Sequence, residues 1–508
     1  MRSYRTLTAL VIVALTLFHL WFLASGRWPL SADEAHYWEW SRQLDWSYYS
    51  KGPMVAYLIA LGTRLAGPTE FGVRLPAVLV AAALAAVAAA LATRLARSAR
   101  AGLRCVLVLS VVPLFAVGSL LMTIDPPFVF CWTLAAYFLS RAVQRRNEMA
   151  WYGAGVAFGL GLLSKYTMLM LLPCTLLWLL CSPRLRPWLR RREPYEAVAL
   201  GLLIFSPVVV WNLRRGMLSG RHVLTQAGVG GEGGPFTLRW AGEFLGSQLL
   251  LVSPLLFLLC GAALAWAWRE GKRAGRDELL LLVCLSGPVF LFFQVWSFGA
   301  KVQANWAAHA YVTPVVALAV WAEAWPRWRA SWRRTRRLNA LLLASIILPA
   351  AVLPVAFFPE ILGLVGVRLR ANLDLVGKRL RGWPELGQAV GELMRQEPQP
   401  PFLMSDRYQI ASELAFYVPG QPRVYNANLG RRMNQYDLWG GWEALRGQDG
   451  LYVAYDTPEA PAALRQAFVE VALVRRVPVD SEGVRIKAFA VFRGRDFRGF
   501  PPRAFDGY

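Results

Sequence analysis

Apolar residues fall in long blocks along the first 360 positions, separated by short polar runs. The blocks predict membrane-spanning helices over roughly 6–25, 73–93, 105–121, 127–143, 150–163, 167–181, 196–211, 242–268, 279–296, 306–325 and 338–358. A helix needs about 20 apolar residues to cross a bilayer. Two further stretches, 54–66 and 360–368, would bring the total from eleven towards thirteen, and the first block is expected to be a retained helix, not a cleaved leader. After about 359 the period changes. Alternation in "PFLMSD", "RVYNA", "GLYVAYD", "FVEVALVRRVPV" and "RIKAFAVFRG" predicts strands, with helices at "ELGQAVGELMRQ", "YQIASELAFYV" and "PEAPAALRQAFVEV". The expected architecture is a polytopic α-helical membrane module, 1–358, with long outer segments 27–72 and 212–240, followed by a small α/β domain, 359–508, outside the membrane.

Composition supports this picture. Of 508 residues 56% are hydrophobic and 17% charged, too apolar for an ordinary soluble enzyme. The net charge of +23 would suggest nucleic acid on a soluble chain. Here the basic residues cluster in alternate loops: Arg94 to Arg104, Arg141 to Arg146, Arg184 to Arg192, Arg269 to Arg276 and Arg327 to Arg337. A cytoplasmic N-terminus places every one of those loops on the cytoplasmic side, as the excess of Lys and Arg in inner loops requires. The six cysteines lie in or beside apolar blocks, without CxxC spacing, and read as packing residues. The Ala-rich run 81–92 reads as a closely packed helix.

The same threading gathers the isolated polar residues on the opposite, outer face. Asp33 and Glu34 open "DEAHYWEWSRQLDWSYYSKGP" directly after the first span. They read either as a helix cap at a loop end or as a catalytic pair. Asp125, in "LLMTIDPPFVF", is the only charge between Arg104 and Arg141. An ionisable group at such a turn is a functional candidate, or the cap of the following helix. Lys51 in "YYSKGP", Lys165 in "GLLSKYT" and Lys301 in "FGAKVQANW" are scarce lysines in an Arg-rich chain. Each is a candidate phosphate ligand or a side chain reaching to the interface. His36 stands three residues after Asp33, a helical spacing with which a divalent ion could bridge the two. His19, His222 and His309 read as bystanders. No Walker A, GxGxxG or GxSxG motif occurs in a fitting context, which argues against a nucleotide-driven pump.

Four segments in order resemble one family. "DEAHYWEWSRQLDWSYYSKGPMVAYLIALGTRLAG", "TIDPPFVFCWTLAAY", "GLGLLSKYTMLMLLP" and "SFGAKVQANWAAHAYVTP" are similar to motifs of the GT-C glycosyltransferases. The nearest group is that of the bacterial aminoarabinose transferase ArnT and the protein O-mannosyltransferases, and the likeness runs over roughly residues 5–325. The resemblance implies inverting transfer of a sugar from a polyprenyl-phosphate donor to lipid A, lipopolysaccharide or another envelope acceptor, at the periplasmic face of the bacterial inner membrane. It implies Asp33 as base or acceptor-positioning group, with Glu34 assisting and Asp125 orienting acceptor or sugar. Lys51, with Tyr49 beside it, would hold the donor phosphate, and Lys301 and Tyr311 would lie near the donor. Lys165 lacks the family's Gly-Pro after its lysine and receives no role. No cofactor is required, although a divalent metal is compatible with the residues. The partners are the lipid-linked donor, the acceptor and membrane lipids, with no nucleic acid. A transporter or flippase, the alternative, predicts charges paired inside spans and symmetric halves. A non-catalytic assembly factor would tolerate loss of Asp33.

Overall fold

The computed structural model describes residues 2–144, 147–226, 236–324, 332–361, 380–481 and 484–500. The optional span 360–368 beyond 361, part of the outer segment 212–240, and Arg145, Arg146, Arg327 and Arg329 lie outside them. Among the described residues six helices are long and apolar enough to cross a membrane: Ser3–Ala24, Glu70–Ala96, Glu193–Arg214, Asp277–Trp296, Ala304–Ala324 and Arg336–Phe357. The helix Asp125–Gln144 packs among them.

The remaining apolar blocks are helical but short or broken. The block 242–268 is two helices, Leu238–Val252 and Pro254–Ala274, bent by 96°. The break falls where Ser253 adopts φ +81° and Pro254 opens the next helix without an N–H to donate. The block 105–121 breaks at an extended Val112, after which Pro113 opens a new helix, giving Ala99–Val111 and Pro113–Gly118. The blocks 150–163 and 167–181 become Met149–Ser164 and Leu171–Cys181, joined through an extended Lys165 and a short 3-10 turn. The segment 54–66 is the helix Met54–Ala66.

Small residues set the helix spacing, as expected of the Ala-rich run. Ala88 and Ala92 are fully buried, and a Cβ on Gly102 would come within 2.3 Å of the Thr93 hydroxyl. The helices Glu70–Ala96 and Ala99–Val111 therefore approach almost backbone to backbone. All six cysteines are free, and five are buried.

The C-terminal part is a five-stranded mixed sheet: β1 Phe402–Ser405, β2 Val424–Asn426, β3 Gly450–Tyr455, β4 Phe468–Ser481 and β5 Val484–Phe497, in the order β2-β1-β3-β5-β4. β1 runs parallel to β2 and β3; β3–β5 and β5–β4 are antiparallel. All five strands coincide with alternating stretches of the sequence. The helix expected at 458–471 covers only Ala462–Ala467, because the β-branched run from Phe468 pairs with β5 instead.

This sheet is not an appendage. One continuous core joins Leu30, Trp38, Trp40, Tyr48 and Ile59 of the first outer segment to Leu386, Ile410, Leu414 and Val491 of the C-terminal part. The helix Ala32–Arg42 packs on the helix Tyr408–Tyr417: Trp38 meets Phe416 edge to face at 4.9 Å, and the Ser412 hydroxyl donates to the Ala32 carbonyl. The first outer helix is thereby held between membrane helices and sheet domain.

Candidate active site

The helix Ala32–Arg42 starts with a reciprocal cap. The Ser31 hydroxyl accepts from the Glu34 N–H, and the Glu34 carboxylate accepts from the Ser31 N–H at 3.0 Å. The two acids that are adjacent in sequence then part company. Glu34 turns inward and is fully buried. Arg74 Nε and Nη2 donate to its two oxygens at 2.8 and 2.7 Å, and the Met122 N–H and Ser31 hydroxyl also donate to it. Arg74 further donates to the carbonyls of Trp28 and Pro29. Five donors saturate the Glu34 carboxylate, so it fastens three chain segments together and has no lone pair to offer a substrate. Asp33 points the other way, is exposed, and accepts from the Tyr408 hydroxyl of the sheet domain at 3.1 Å. Burial and the Asp33 charge both push the Tyr408 phenol up, so it stays a donor.

Asp125 begins the helix Asp125–Gln144, with Pro126 and Pro127 next to it, where a carboxylate meets the positive end of the helix. Lys165 follows the last residue of Met149–Ser164, at the negative end of that helix. The two termini meet. Lys165 Nζ donates to Asp125 Oδ1 at 2.8 Å, and Asn305 Nδ2 donates to Oδ2 at 2.6 Å. Both partners of this ion pair are largely buried.

Lys51 joins the group through its backbone. A Cβ on Gly52 would stand 2.1 Å from the Leu163 carbonyl, so only glycine lets the 46–53 turn lie against the end of Met149–Ser164, two residues before Lys165. Ser47 and Tyr166 exchange a hydroxyl contact at 3.4 Å across the same seam. Burial, and then the neighbouring Lys165 charge, push the Lys51 ammonium down to about 8, against the opposing pull of Asp125 and Asp33. Two lysines and two aspartates thus share one electrostatic neighbourhood. His222, read from sequence as a bystander, lies beside them. Its ring is 5.0 Å from that of Tyr49, and burial followed by the charges of Lys51 and Arg432 brings it down to about 4.

Other candidates fall elsewhere. Tyr49 is buried and donates its backbone N–H to Gln435 of the sheet domain. Tyr311 sits in the helical core with its hydroxyl on Gln248 Oε1 at 2.8 Å, which places it among helices rather than beside Asp33 or Lys51. Lys301 is half exposed, paired with Glu243 at 2.9 Å and lying over Trp240. His36 is buried among Trp40, Tyr408 and Tyr436, and its Nε2 accepts from the Trp40 indole at 3.2 Å. Burial, then Arg431, push it down to about 3, so it is neutral. Asp33 faces outward, whereas His36 is buried with its Nε2 on the Trp40 indole. Among the described residues no group of three or more His, Cys, Asp or Glu could hold a metal ion. Asn305 and Tyr408 were not singled out from sequence. A neutral amide and a tyrosine, 180 and 375 residues from their aspartates, carry no local signal.

Acids and lysines gathered at the ends of apolar helices, beside a sheet domain, are the arrangement of a membrane-embedded group transferase. Residues 50–211 match the dolichyl-phosphate-mannose-protein mannosyltransferase family. The lipid A galacturonosyltransferase RgtD of Rhizobium johnstonii is 30% identical over 420 residues, 82% of this chain and 84% of that protein. Crystal structures of ArnT from Cupriavidus metallidurans are 16% identical and cover 95% of this chain and 97% of theirs. The TM-score is 0.63 for the apo state and 0.59 for the form bound to undecaprenyl phosphate. The chain belongs to the GT-C membrane glycosyltransferases of the dolichyl-phosphate-mannose-protein mannosyltransferase type. It is a multi-pass membrane enzyme, as the four sequence motifs implied.

Proposed function

We propose that the protein transfers a sugar, with inversion, from a polyprenyl-phosphate donor to lipid A or a related envelope acceptor, at the periplasmic face of the bacterial inner membrane. The observation that carries this reading is the convergence of Asp33, Lys51 and the Asp125–Lys165 pair at one end of the helices. The printed activity of RgtD supports lipid A as the acceptor class. The Arg-rich loops support a cytoplasmic N-terminus, with the site and the sheet domain on the periplasmic side.

In this reading Asp33, steadied by Tyr408, takes the proton of the acceptor hydroxyl as that oxygen bonds to the anomeric carbon. The bond from that carbon to the phosphate oxygen breaks on the opposite face, and its electron pair leaves with the polyprenyl phosphate. Lys51 supplies positive charge to the departing phosphate. Asp125, fixed by Lys165 and Asn305, orients the sugar or acceptor. Glu34 is a positioning residue: it holds the helix that carries Asp33. Lys51 provides the charge for the leaving group, so the reading routes no step through a metal. The division near residue 358 separates membrane module from sheet domain in chain order, while both contribute to the site.

The test is transfer of radiolabelled sugar from polyprenyl-phosphate donors by purified protein, with monodisperse elution as the folding check. Asp33→Asn and Asp125→Asn are expected to abolish transfer by an active wild type. Full activity in both variants would remove these residues from the chemistry.

A further inference from the structure

A cavity of about 170 Å³ lies between the outer helix and the sheet domain. It is smaller than the roughly 300–1,000 Å³ that takes a drug-sized ligand, and suits a single six-membered ring. Glu39 lines it from the helix Ala32–Arg42, and Gln43 from the residue that caps that helix. Arg423, Tyr425, Trp439 and Trp442 line it from the sheet domain. None of these six has a part in the transfer chemistry above.

The walls are built, not accidental. The chain turns between the two tryptophans at Gly440 and Gly441, φ +55° and +96°, which brings both indoles to one cavity. The Arg423 guanidinium is fixed by the carbonyls of Gly440, at 2.9 Å, and Trp439, and lies over the Tyr425 ring. Tyr425 and Trp442 stand 5.2 Å apart, tilted by 52°, giving two differently inclined apolar faces. Glu39 is buried with its side chain 7% exposed, and its Oε1 accepts from Arg42 at 3.2 Å. A carboxylate has about four acceptor positions. Buried ones are costly unless something donates to them. Aromatic faces, a fixed guanidinium and a buried carboxylate together match a molecule with C–H faces and a rim of hydroxyl groups. That is a pyranose ring.

Glu39 follows Asp33 by six residues on one helix, about 9 Å along the axis and about 120° around it. A sugar held at Glu39 therefore sits on the same outer helix as a hydroxyl presented at Asp33, but on another side of it. We propose that this cavity is a saccharide subsite that holds a pyranose ring of the acceptor away from the one that receives the transferred sugar. The proposal rests on the transferase reading for the word acceptor, and on the cavity alone for the sugar.

Two measurements separate those dependencies. The first is saturation-transfer NMR on the full-length protein in lipid nanodiscs, with the methyl glycosides of glucosamine and of galacturonic acid as probes. Wild type is expected to saturate the ring protons of at least one probe. Gln43→Trp, which fills the cavity from an exposed position, and Trp439→Ala, which removes a wall, are each expected to abolish the effect. Absence of saturation in wild type, or its persistence in both folded variants, overturns the subsite. The second is steady-state transfer to a lipid A acceptor. Gln43→Trp is expected to raise the acceptor KM at least tenfold and leave the donor KM unchanged. An unchanged acceptor KM in an active variant overturns the subsite and leaves the transferase reading standing. Sugar binding lost in the variants of a protein that transfers nothing supports the subsite and sinks the transferase reading.

Discussion

Glu34→Ala is the substitution that distinguishes a clamp from a catalyst. The carboxylate is fully buried and receives five hydrogen bonds, two of them from an Arg74 that is itself 1% exposed. Removing it strands the guanidinium and the Met122 N–H without their acceptor. Breaking one side of a buried, hydrogen-bonded ion pair costs about 3–5 kcal/mol. At about 1.4 kcal/mol per tenfold, that lowers the ratio of folded to unfolded protein by roughly two to three and a half powers of ten. Replacing both partners, Glu34→Leu with Arg74→Met, removes the orphaned charge together with its mate and is expected to recover most of the loss. The assay is the fraction of detergent-solubilised protein that stays monodisperse after heating, for wild type, both single variants and the double variant. Transfer activity is then measured per folded molecule. The clamp reading requires a large stability loss in the single variants, recovery in the double, and residual transfer wherever the fold survives. Wild-type thermal stability in Glu34→Ala with transfer abolished would refute it and return Glu34 to the chemistry.

Three other perturbations follow from the same geometry. The Lys51 ammonium is held down to about 8, so its charged fraction falls as pH rises through about 8 instead of through 10.5. Donor KM should therefore climb between pH 7 and 9, and Lys51→Arg, charged throughout that window, should flatten the profile; a flat wild-type profile would contradict the assignment. Tyr408→Phe removes one hydrogen bond to Asp33, worth about 1 kcal/mol, and should lower kcat about fivefold with donor KM unchanged. Lys165→Met should reduce transfer on the order of 10²-fold, Lys165→Arg should restore part of it, and Asn305→Ala should be milder because the ion pair survives.

Much of this arrangement was legible before any coordinates. Hydrophobic blocks and strand alternation depend on local periodicity, so six long helices and five strands fall where the pattern placed them. Asp33 stood out beside Glu34 at the start of an aromatic-rich outer segment, Lys51 as a scarce lysine in a Gly-Pro turn, and Asp125 as the only charge between Arg104 and Arg141. What was not legible depends on rotation and on distance. Asp33 and Glu34 differ by one residue, about 100° around a helix, and nothing in their order tells which faces water and which faces Arg74. Lys165 and Asn305 come to Asp125 only through long-range packing. Tyr311 sits in a helical motif that resembles a donor site, yet its hydroxyl satisfies Gln248 in the core. The break at Ser253 needed a positive φ at a non-glycine residue, against the local preference.

The shared core of outer segment and sheet domain also orders events in time. The helix Ala32–Arg42 leaves the ribosome long before Trp383–Gln396 and the strands that cover it. Roughly 340 residues of chain lie between, which at about 5–20 residues per second is a wait of roughly 20–70 s. Throughout that interval Trp38, Trp40 and the Asp33 face have no lid, and Asp33 has no Tyr408. The last domain made is the one that completes the core of the first loop, so the earliest outer helix waits longest for its packing partners.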